Sequence, residues 1–371
     1  MLDATRKSLE SGDIVATIRD VAREAGVSVA TVSRVLNGNY PVSQEKRSAV
    51  NKAVKKLKFT PNILGRNLGR TENRTIVVAV SAGMKQDATL LTRSLQGLSD
   101  VIAEEGYDML ISYLPAAAPN QPRESSVKRL EQLLQGGFAG GLMILGPILK
   151  DPTFFDRIGA IPVVRCGEGV LPLSGNCVAY DNEQAGYDLA KTMIQRGYKR
   201  FSFFLSQKTD ETLPSDFALA RKKGMEAALA EAGLAYDERL TLVVQTDNDD
   251  AQFAQAAKAS GFYLSLPPEE RPDAIICSYD ALALACMNTL QRGGIVCPDQ
   301  IAIAGFDDTL AASYCDPQLT SVRQPSQEMS REAARILLSI MRGEQQNGIR
   351  MILPCTVVER GSTTNVETTI I

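Results

Sequence analysis

Histidine and tryptophan are both absent from this chain of 371 residues. Without histidine the commonest general base and the commonest metal ligand are missing. That excludes Ser-His-Asp and Cys-His catalysis and leaves an enzyme only carboxylate or lysine chemistry. Without tryptophan, a binding cleft must take any aromatic stacking from tyrosine or phenylalanine. The seven cysteines are odd in number and form no CxxC pair, the pattern of reduced thiols rather than of a disulfide frame or a zinc site. No apolar run reaches the roughly 18 residues of a membrane span. The opening MLDATRKSLESGDIVA lacks the apolar core of a signal peptide. A cytoplasmic chain with no membrane partner is expected. Neither GxGxxG nor GxxxxGK(S/T) occurs, so no nucleotide-binding motif supports an enzyme and no cofactor is expected.

What is present is ordinary in bulk and uneven in distribution. Hydrophobic residues make up 44% and charged residues 22%, the balance of a globular protein. The length calls for two or three domains. The net charge of −3 conceals a basic head: residues 1–74 carry net +7 and residues 75–371 net −10. Such a head suits a polyanionic partner, although charge by itself leaves a solvated basic face as an equal reading.

Within the head, Thr17 and Asp20 have the spacing of an N-cap and the third residue of a helix. Ile18, Val21, Ala22 and Ala25 form an apolar stripe, and Gly26 suits the positive φ of a helix end. Gly26-Val27-Ser28 then makes a short turn into a second helix that Ser28 caps and Asn37-Gly38 ends. Ser43 opens a third, with Val50, Val54 and Leu57 inward. In the second helix Val32, Val35 and Leu36 face the core, and Val29, Ala30, Ser33 and Arg34 face out. A face that small permits close approach to base edges and thymine methyls, with Arg34 in reach of guanine or phosphate. An ordinary three-helix bundle would show the same pattern.

The whole line TIRDVAREAGVSVATVSRVLNGNYPVSQEKRSAVNKAVKKLKFTPNILGRNLGR, from Thr17 to Arg70, closely resembles the headpiece of LacI/GalR-family transcription regulators. The resemblance continues through NEQAGYDLAKTMIQRGYKRFSFF, SYDALALACMNTLQRGGIVCPDQIAIAGFDD and LPCTVVERGST to about residue 363. It implies an α-helical helix-turn-helix headpiece and an α/β two-lobed effector domain with parallel sheets, like the type I periplasmic binding proteins. The implied boundaries are an N-terminal extension 1–16, the headpiece 17–60, a hinge helix and linker 61–74, an effector-binding and dimerisation domain 75–363, and a tail 364–371. By position it implies base contacts from Val29, Ala30 and Arg34, and phosphate or supporting contacts from Thr17, Ser28, Ser33 and Asn37. In the hinge PNILGRNLGR it implies minor-groove contacts from Asn62 and Leu68, the leucine wedging between base pairs. Gly65 and Gly69 each cost about 1 kcal/mol against alanine in a helix, so this hinge is expected to fold only with DNA and a partner hinge.

Beyond residue 74, short β-rich runs alternate with helical stretches: TIVVAVS (75–81), DMLISY (108–113), GLMILG (141–146), RFSFFLS (200–206), LTLVVQ (240–245), AIICS (274–278) and IAIAGFD (301–307). Alternation of this kind marks parallel sheets with helices on both faces, and the length suits two such sheets. GGFAGG (136–141) reads as a helix end and turn rather than a nucleotide fingerprint.

The resemblance places Arg221 and Asp307 where the family hydrogen-bonds ligand hydroxyls. An arginine fork and a carboxylate suit the vicinal hydroxyls of a sugar, and Asp307 ends a strand, where α/β sheets usually bind ligands. A structural salt bridge is the plain alternative for each. Tyr279 stands where a small polar residue is common, and Asp247 near where relatives carry a stacking aromatic. The cleft is therefore expected to stack on Tyr279 or Phe306, or to take something other than a standard hexose. Arg165 and Glu168 are read as a loop within reach of the cleft. The tail GSTTNVETTII has no heptad repeat, so a symmetric homodimer on a near-palindromic double-stranded operator is expected. The function expected is a repressor whose operator affinity follows a small-molecule effector, most simply a sugar that releases DNA. The competing reading is a sugar-binding protein or sugar-acting enzyme with a fused helical head. The missing histidine, nucleotide motifs and signal sequence weigh against it.

Overall fold

The computed structural model describes residues 16–37, 41–59, 73–81, 88–114, 124–146, 153–167, 175–207, 216–245, 249–345 and 347–364. The expected hinge contacts Asn62 and Leu68, their neighbours Gly65 and Gly69, the cleft residues Glu168 and Asp247, and the side chain of Asn37 lie outside the described residues. The chain divides into two compact units, Met1–Asn73 and Arg74–Ile371.

The first unit is built of α1 (Ile18–Ala25), α2 (Val29–Asn37) and α3 (Gln44–Lys56). Val21 and Ala22, Val32 and Val35, and Val50 and Ala53, two from each helix, form its core. The cap read from the sequence is present and reciprocal. Thr17 Oγ1 accepts from the Asp20 N–H at 3.4 Å, and the Thr17 N–H donates to the Asp20 carboxylate at 3.0 Å. The side-chain hydrogen bond from Thr17 is the main reason the Asp20 carboxyl titrates below its ordinary value. Gly26 ends α1 at φ +64°, a conformation that a side chain would penalise. Ser28 Oγ then accepts from the Thr31 N–H at 3.2 Å and caps α2. Ser43 precedes α3 but makes no side-chain capping bond.

The second unit runs β1 (Thr75–Ser81), α4 (Ala88–Glu104), β2 (Asp108–Leu114), α5 (Glu124–Gln135), β3 (Gly141–Leu145), α6 (Thr153–Ile158), β4 (Val163–Cys166), β5 (Asn176–Tyr180), α7 (Asn182–Gln195), β6 (Phe201–Gln207), α8 (Asp216–Glu231), β7 (Leu242–Gln245), α9 (Asp249–Ser265), β8 (Ala274–Cys277), α10 (Asp280–Arg292), β9 (Ala302–Phe306), α11 (Leu310–Tyr314), β10 (Thr320–Arg323), α12 (Ser326–Met341), β11 (Arg350–Leu353) and β12 (Thr356–Val358). Two six-stranded sheets result, ordered β11-β5-β4-β3-β1-β2 and β12-β10-β9-β8-β6-β7. The first is parallel throughout. The second is parallel except for β12, which runs antiparallel to β10 at its edge. GGFAGG is the turn foreseen, with Gly137 at φ +67° between α5 and β3.

Each sheet anchors one lobe, and the chain crosses between lobes three times. β5 leads into α7, β10 into α12, and β11 into β12. α7 packs with Phe201 and Phe203 in the second lobe's core, whereas α12 returns to pack Met329, Ala333 and Leu337 into the first. α7 and α8 meet so closely that a Cβ on Gly224 would lie 1.8 Å from the Glu183 carbonyl oxygen, and one on Gly186 would lie 2.2 Å from that of Arg221. These two glycines let the helix backbones touch, and that contact sets where Arg221 sits.

Candidate functional site

On the first unit, α2 shows the division expected. Val32 and Val35 are buried, Leu36 and Ser33 are half-buried, and Val29, Ala30 and Arg34 are exposed. The outward face is small, with one long cation, and the three-helix core beneath holds it. Two of the expected phosphate contacts are already engaged within the unit. Thr17 Oγ1 lies 2.6 Å from the Asp20 carboxylate, and Ser28 Oγ lies 2.9 Å from Thr31 Oγ1. Their hydroxyls serve the helix starts first.

On the second unit, the expected pair Arg221 and Asp307 lies where the lobes meet. Arg221, on α8, is 1% exposed. Its Nε donates to Asn182 Oδ1 at 2.8 Å, its Nη2 to Tyr180 Oη at 3.2 Å, and its Nη1 to the Ser278 carbonyl. The guanidinium lies over Phe217 at 4.8 Å and Phe306 at 4.3 Å. A fully desolvated cation needs such partners, because an unpaired one would cost several kcal/mol. Tyr180 ends β5 of the first lobe, so its bond to Arg221 joins the two lobes.

Asp307 and Asp308 follow β9 with φ of +105° and +48°. Positive φ at two successive side-chain-bearing residues is strained by about 1–3 kcal/mol each and persists only where the surroundings over-determine it. They do so here. The Asp307 N–H donates to the Val322 carbonyl at 2.9 Å, the Asp308 N–H to Ser321 Oγ at 2.9 Å, and the Thr309 N–H to Asp280 Oδ2 at 2.8 Å. Gln324 donates to the Asp307 carboxylate. Asp308 is 4% exposed and pairs with Arg323 at 2.6 Å and with Arg360. Burial raises its pKa, but the hydrogen bonds from Arg360 and Arg323 outweigh burial and hold it below the ordinary value. Asp280, fully buried at the start of α10, accepts from Ser321 Oγ at 2.6 Å and from Thr309 Oγ1 at 2.9 Å. Burial pushes its pKa up to about 7; the hydrogen bonds from Ser321 and Thr309 offset this only in part.

Other expected residues fall elsewhere. Phe306 is fully enclosed and its ring is covered by Arg221, so it supports the arginine rather than offering an open stacking face. Tyr279 is half-buried against the second lobe's core and directly precedes α10. Arg165 lies within β4, not in a loop, because its alternating neighbours Val164 and Cys166 enter the core; its guanidinium covers Phe155 at 4.4 Å. The sequence reading missed Tyr180, Asn182, Gln324, Asp280 and Asp308. It also missed Ser206 at the end of β6, whose buried hydroxyl has no hydrogen-bond partner among the described residues. The neighbouring Asp of the quoted AGFDD was the one visible signal, since paired carboxylates at a strand end invite the question of what holds them apart. A separate depression of about 460 Å³ lies at the other end of the second lobe, beside Arg196, Tyr198 and Glu359. It shares no residue with the Arg221 cluster.

Residues 17–62 match the family described as "Bacterial regulatory proteins, lacI family", and residues 190–363 match the "Periplasmic binding protein-like domain". The chain is 30% identical over 354 residues to the HTH-type transcriptional repressor CytR of Escherichia coli (strain K12), covering 95% of this chain and 97% of that one. It belongs to the LacI family. Among solved structures, this LacI-family chain resembles the transcriptional regulator CelR–cellobiose complex, with 27% identity, a TM-score of 0.66, and coverage of 94% of this chain and 99% of that one. It shares its fold with the lac repressor dimer bound to operator and the anti-inducer ONPF, with 21% identity, a TM-score of 0.76 and the same coverage. The chain is accordingly a DNA-binding transcription regulator with a ligand-responsive unit. The relatives are regulators rather than enzymes, which removes the enzyme reading. Among the described residues no helix is long and apolar enough to cross a membrane.

Proposed function

We propose that this regulator is a dimeric repressor that reads a near-palindromic operator through the α2 face and releases it when a neutral, hydroxyl-rich ligand enters between the lobes. The observation that carries the reading is the Arg221–Tyr180 bond. A buried arginine on the second lobe is satisfied in part by a hydroxyl from the first, and a ligand hydroxyl is the natural replacement for it. A ligand that takes the place of Tyr180 Oη on Arg221 and donates a hydroxyl hydrogen to the Asp307 carboxylate changes what joins the lobes. It thereby favours one lobe angle over another. A coupling of about 1.4 kcal/mol is enough for a tenfold change in operator affinity. A solved structure of the related CelR is a complex with cellobiose, which supports a sugar as the first ligand class to try. On the DNA side, Val29, Ala30 and Arg34 read bases, Thr17, Ser28, Ser33 and Asn37 support the backbone, and Asn62 and Leu68 serve the hinge.

The test is selection of bound duplexes from a random pool at one fixed near-physiological salt, because affinity depends on it. An inverted repeat should be enriched. Arg34→Ala should relax one base position in each half-site at a cost of about 1–3 kcal/mol. Asp307→Ala should bind the same duplexes and lose the response to the releasing ligand. Full response in Asp307→Ala would remove Asp307 from the site, and a pool without an enriched repeat would remove the dimeric reading.

A further inference from the structure

The strained Asp307–Asp308 segment belongs to the second lobe, yet one of the groups that hold it comes from the first. Arg93 lies on α4, whose Leu90, Leu98 and Ile102 are buried in the first lobe's core. Its Nη1 donates to the Asp307 carbonyl at 3.4 Å and its Nη2 to the Asp308 carbonyl at 3.1 Å. The same Nη2 stands 3.9 Å from the Asp308 carboxylate. These are the carbonyls of the two residues with positive φ. The other groups named above that hold the segment (Val322, Ser321, Gln324, Asp280, Arg323 and Arg360) sit on the second lobe or its exits.

We infer that Arg93 is a positioning residue for the effector site, a first-lobe arginine that holds the Asp307–Asp308 backbone and so makes the orientation of Asp307 depend on lobe closure. The inference rests on the reading of Asp307 as a ligand contact. Closure brings Arg93 onto the two carbonyls, the strained turn is held, and Asp307 is presented to the cleft. Opening withdraws Arg93, and the turn relaxes. Arg93 is one-third exposed, so solvent competes for it and the contact is weak enough to be made and broken.

The experiment is amide hydrogen exchange on the full-length, ligand-free protein, followed at Asp307, Asp308 and Thr309. Arg93→Ala should speed exchange at these amides by roughly tenfold or more while leaving the core strands unchanged. Arg93→Lys, which keeps the charge and one donor, should restore part of the protection. Asp100→Ala breaks a different ion pair of the same helix, to Arg331 at 2.8 Å, and should leave the three amides as they were. Unchanged exchange in Arg93→Ala, or equal acceleration in Asp100→Ala, overturns the inference. Operator release by a panel of sugars and nucleosides is scored separately. A silent panel together with accelerated exchange in Arg93→Ala would retain Arg93 as the residue that positions the turn and would count against the ligand class alone.

Discussion

Asp280 shows how much of this site is held by residues that no ligand would touch. It is fully buried, it anchors Thr309 and Ser321, and a Cβ on Gly305 would lie 2.4 Å from its Oδ1, so β9 can approach only because residue 305 has no side chain. Burial leaves its pKa near 7, above the roughly 3.9 of an unfolded aspartate. The folded protein therefore binds this proton more tightly than the unfolded chain does. The stabilisation linked to Asp280 is complete below about pH 4 and is lost as pH rises through about 7. Asp280→Asn keeps an acceptor and removes the titration. The stability of the native protein relative to this variant should fall with rising pH in that window, by at most about 1.4 kcal/mol per unit. Urea unfolding across the window measures it. Parallel pH profiles for the two proteins would mean that another group carries the proton.

At the scale of elements, the contact between α7 and α8 decides where the buried arginine stands. Gly224→Ala forces a methyl against the Glu183 backbone, and the helices must separate. We expect a loss of about 1–3 kcal/mol, as for overpacked cores, together with a weaker response to ligand because Arg221 moves with α8. A melting curve and an operator-release titration read the two effects. If stability falls and the response is intact, the glycine serves packing alone. The sequence foretold α1 to α3, with their cap and their turn, because those signals are local: Thr17 with Asp20, Gly26, and a 3.6-residue apolar period. It also foretold the long inner strands, such as TIVVAVS. It did not single out β4, β5, β10, β11 and β12: VVRC, NCVAY, TSVR and RMIL each carry a charged or amide residue that breaks the apolar run and TVV has only three residues, whereas AIIC of β8, equally short, is wholly apolar. The two ends of the site were legible as Arg221 and Asp307. Tyr180 and Arg93 were not, because their relevance is created by contacts between the lobes, and Asp280 was not, because its partners Thr309 and Ser321 lie 29 and 41 residues further along the second lobe and meet it only in the folded sheet. Arg165 was misread for a related reason. Its strand alternates inward and outward, and a charge on the outward side of VVRC imitates a loop.

The whole molecule must also assemble if it is to read a repeat. Leu310 and Tyr314 lie one helical turn apart on α11 and are 64% and 80% exposed. In the first lobe the edge strand β2 exposes Ile111 and Tyr113 on one side. Large apolar side chains at two separate places, one of them on an open sheet edge, are what a partner surface would cover. The partner expected is a second copy related by a two-fold axis, with α11 as the first surface to test. Leu310→Glu combined with Tyr314→Asp should therefore halve the mass found by sedimentation at micromolar concentration and leave the fold intact. With only one headpiece per particle, the second half-site no longer binds as an intramolecular event. Operator affinity should drop by about a hundredfold or more, while a single half-site is bound as before. The salt dependence should weaken as well, because a monomer neutralises about half as many phosphates. If the double variant stays dimeric, α11 is not in the interface and the β2 edge becomes the surface to alter. If it is monomeric yet binds the full operator undiminished, the paired reading of the DNA is wrong.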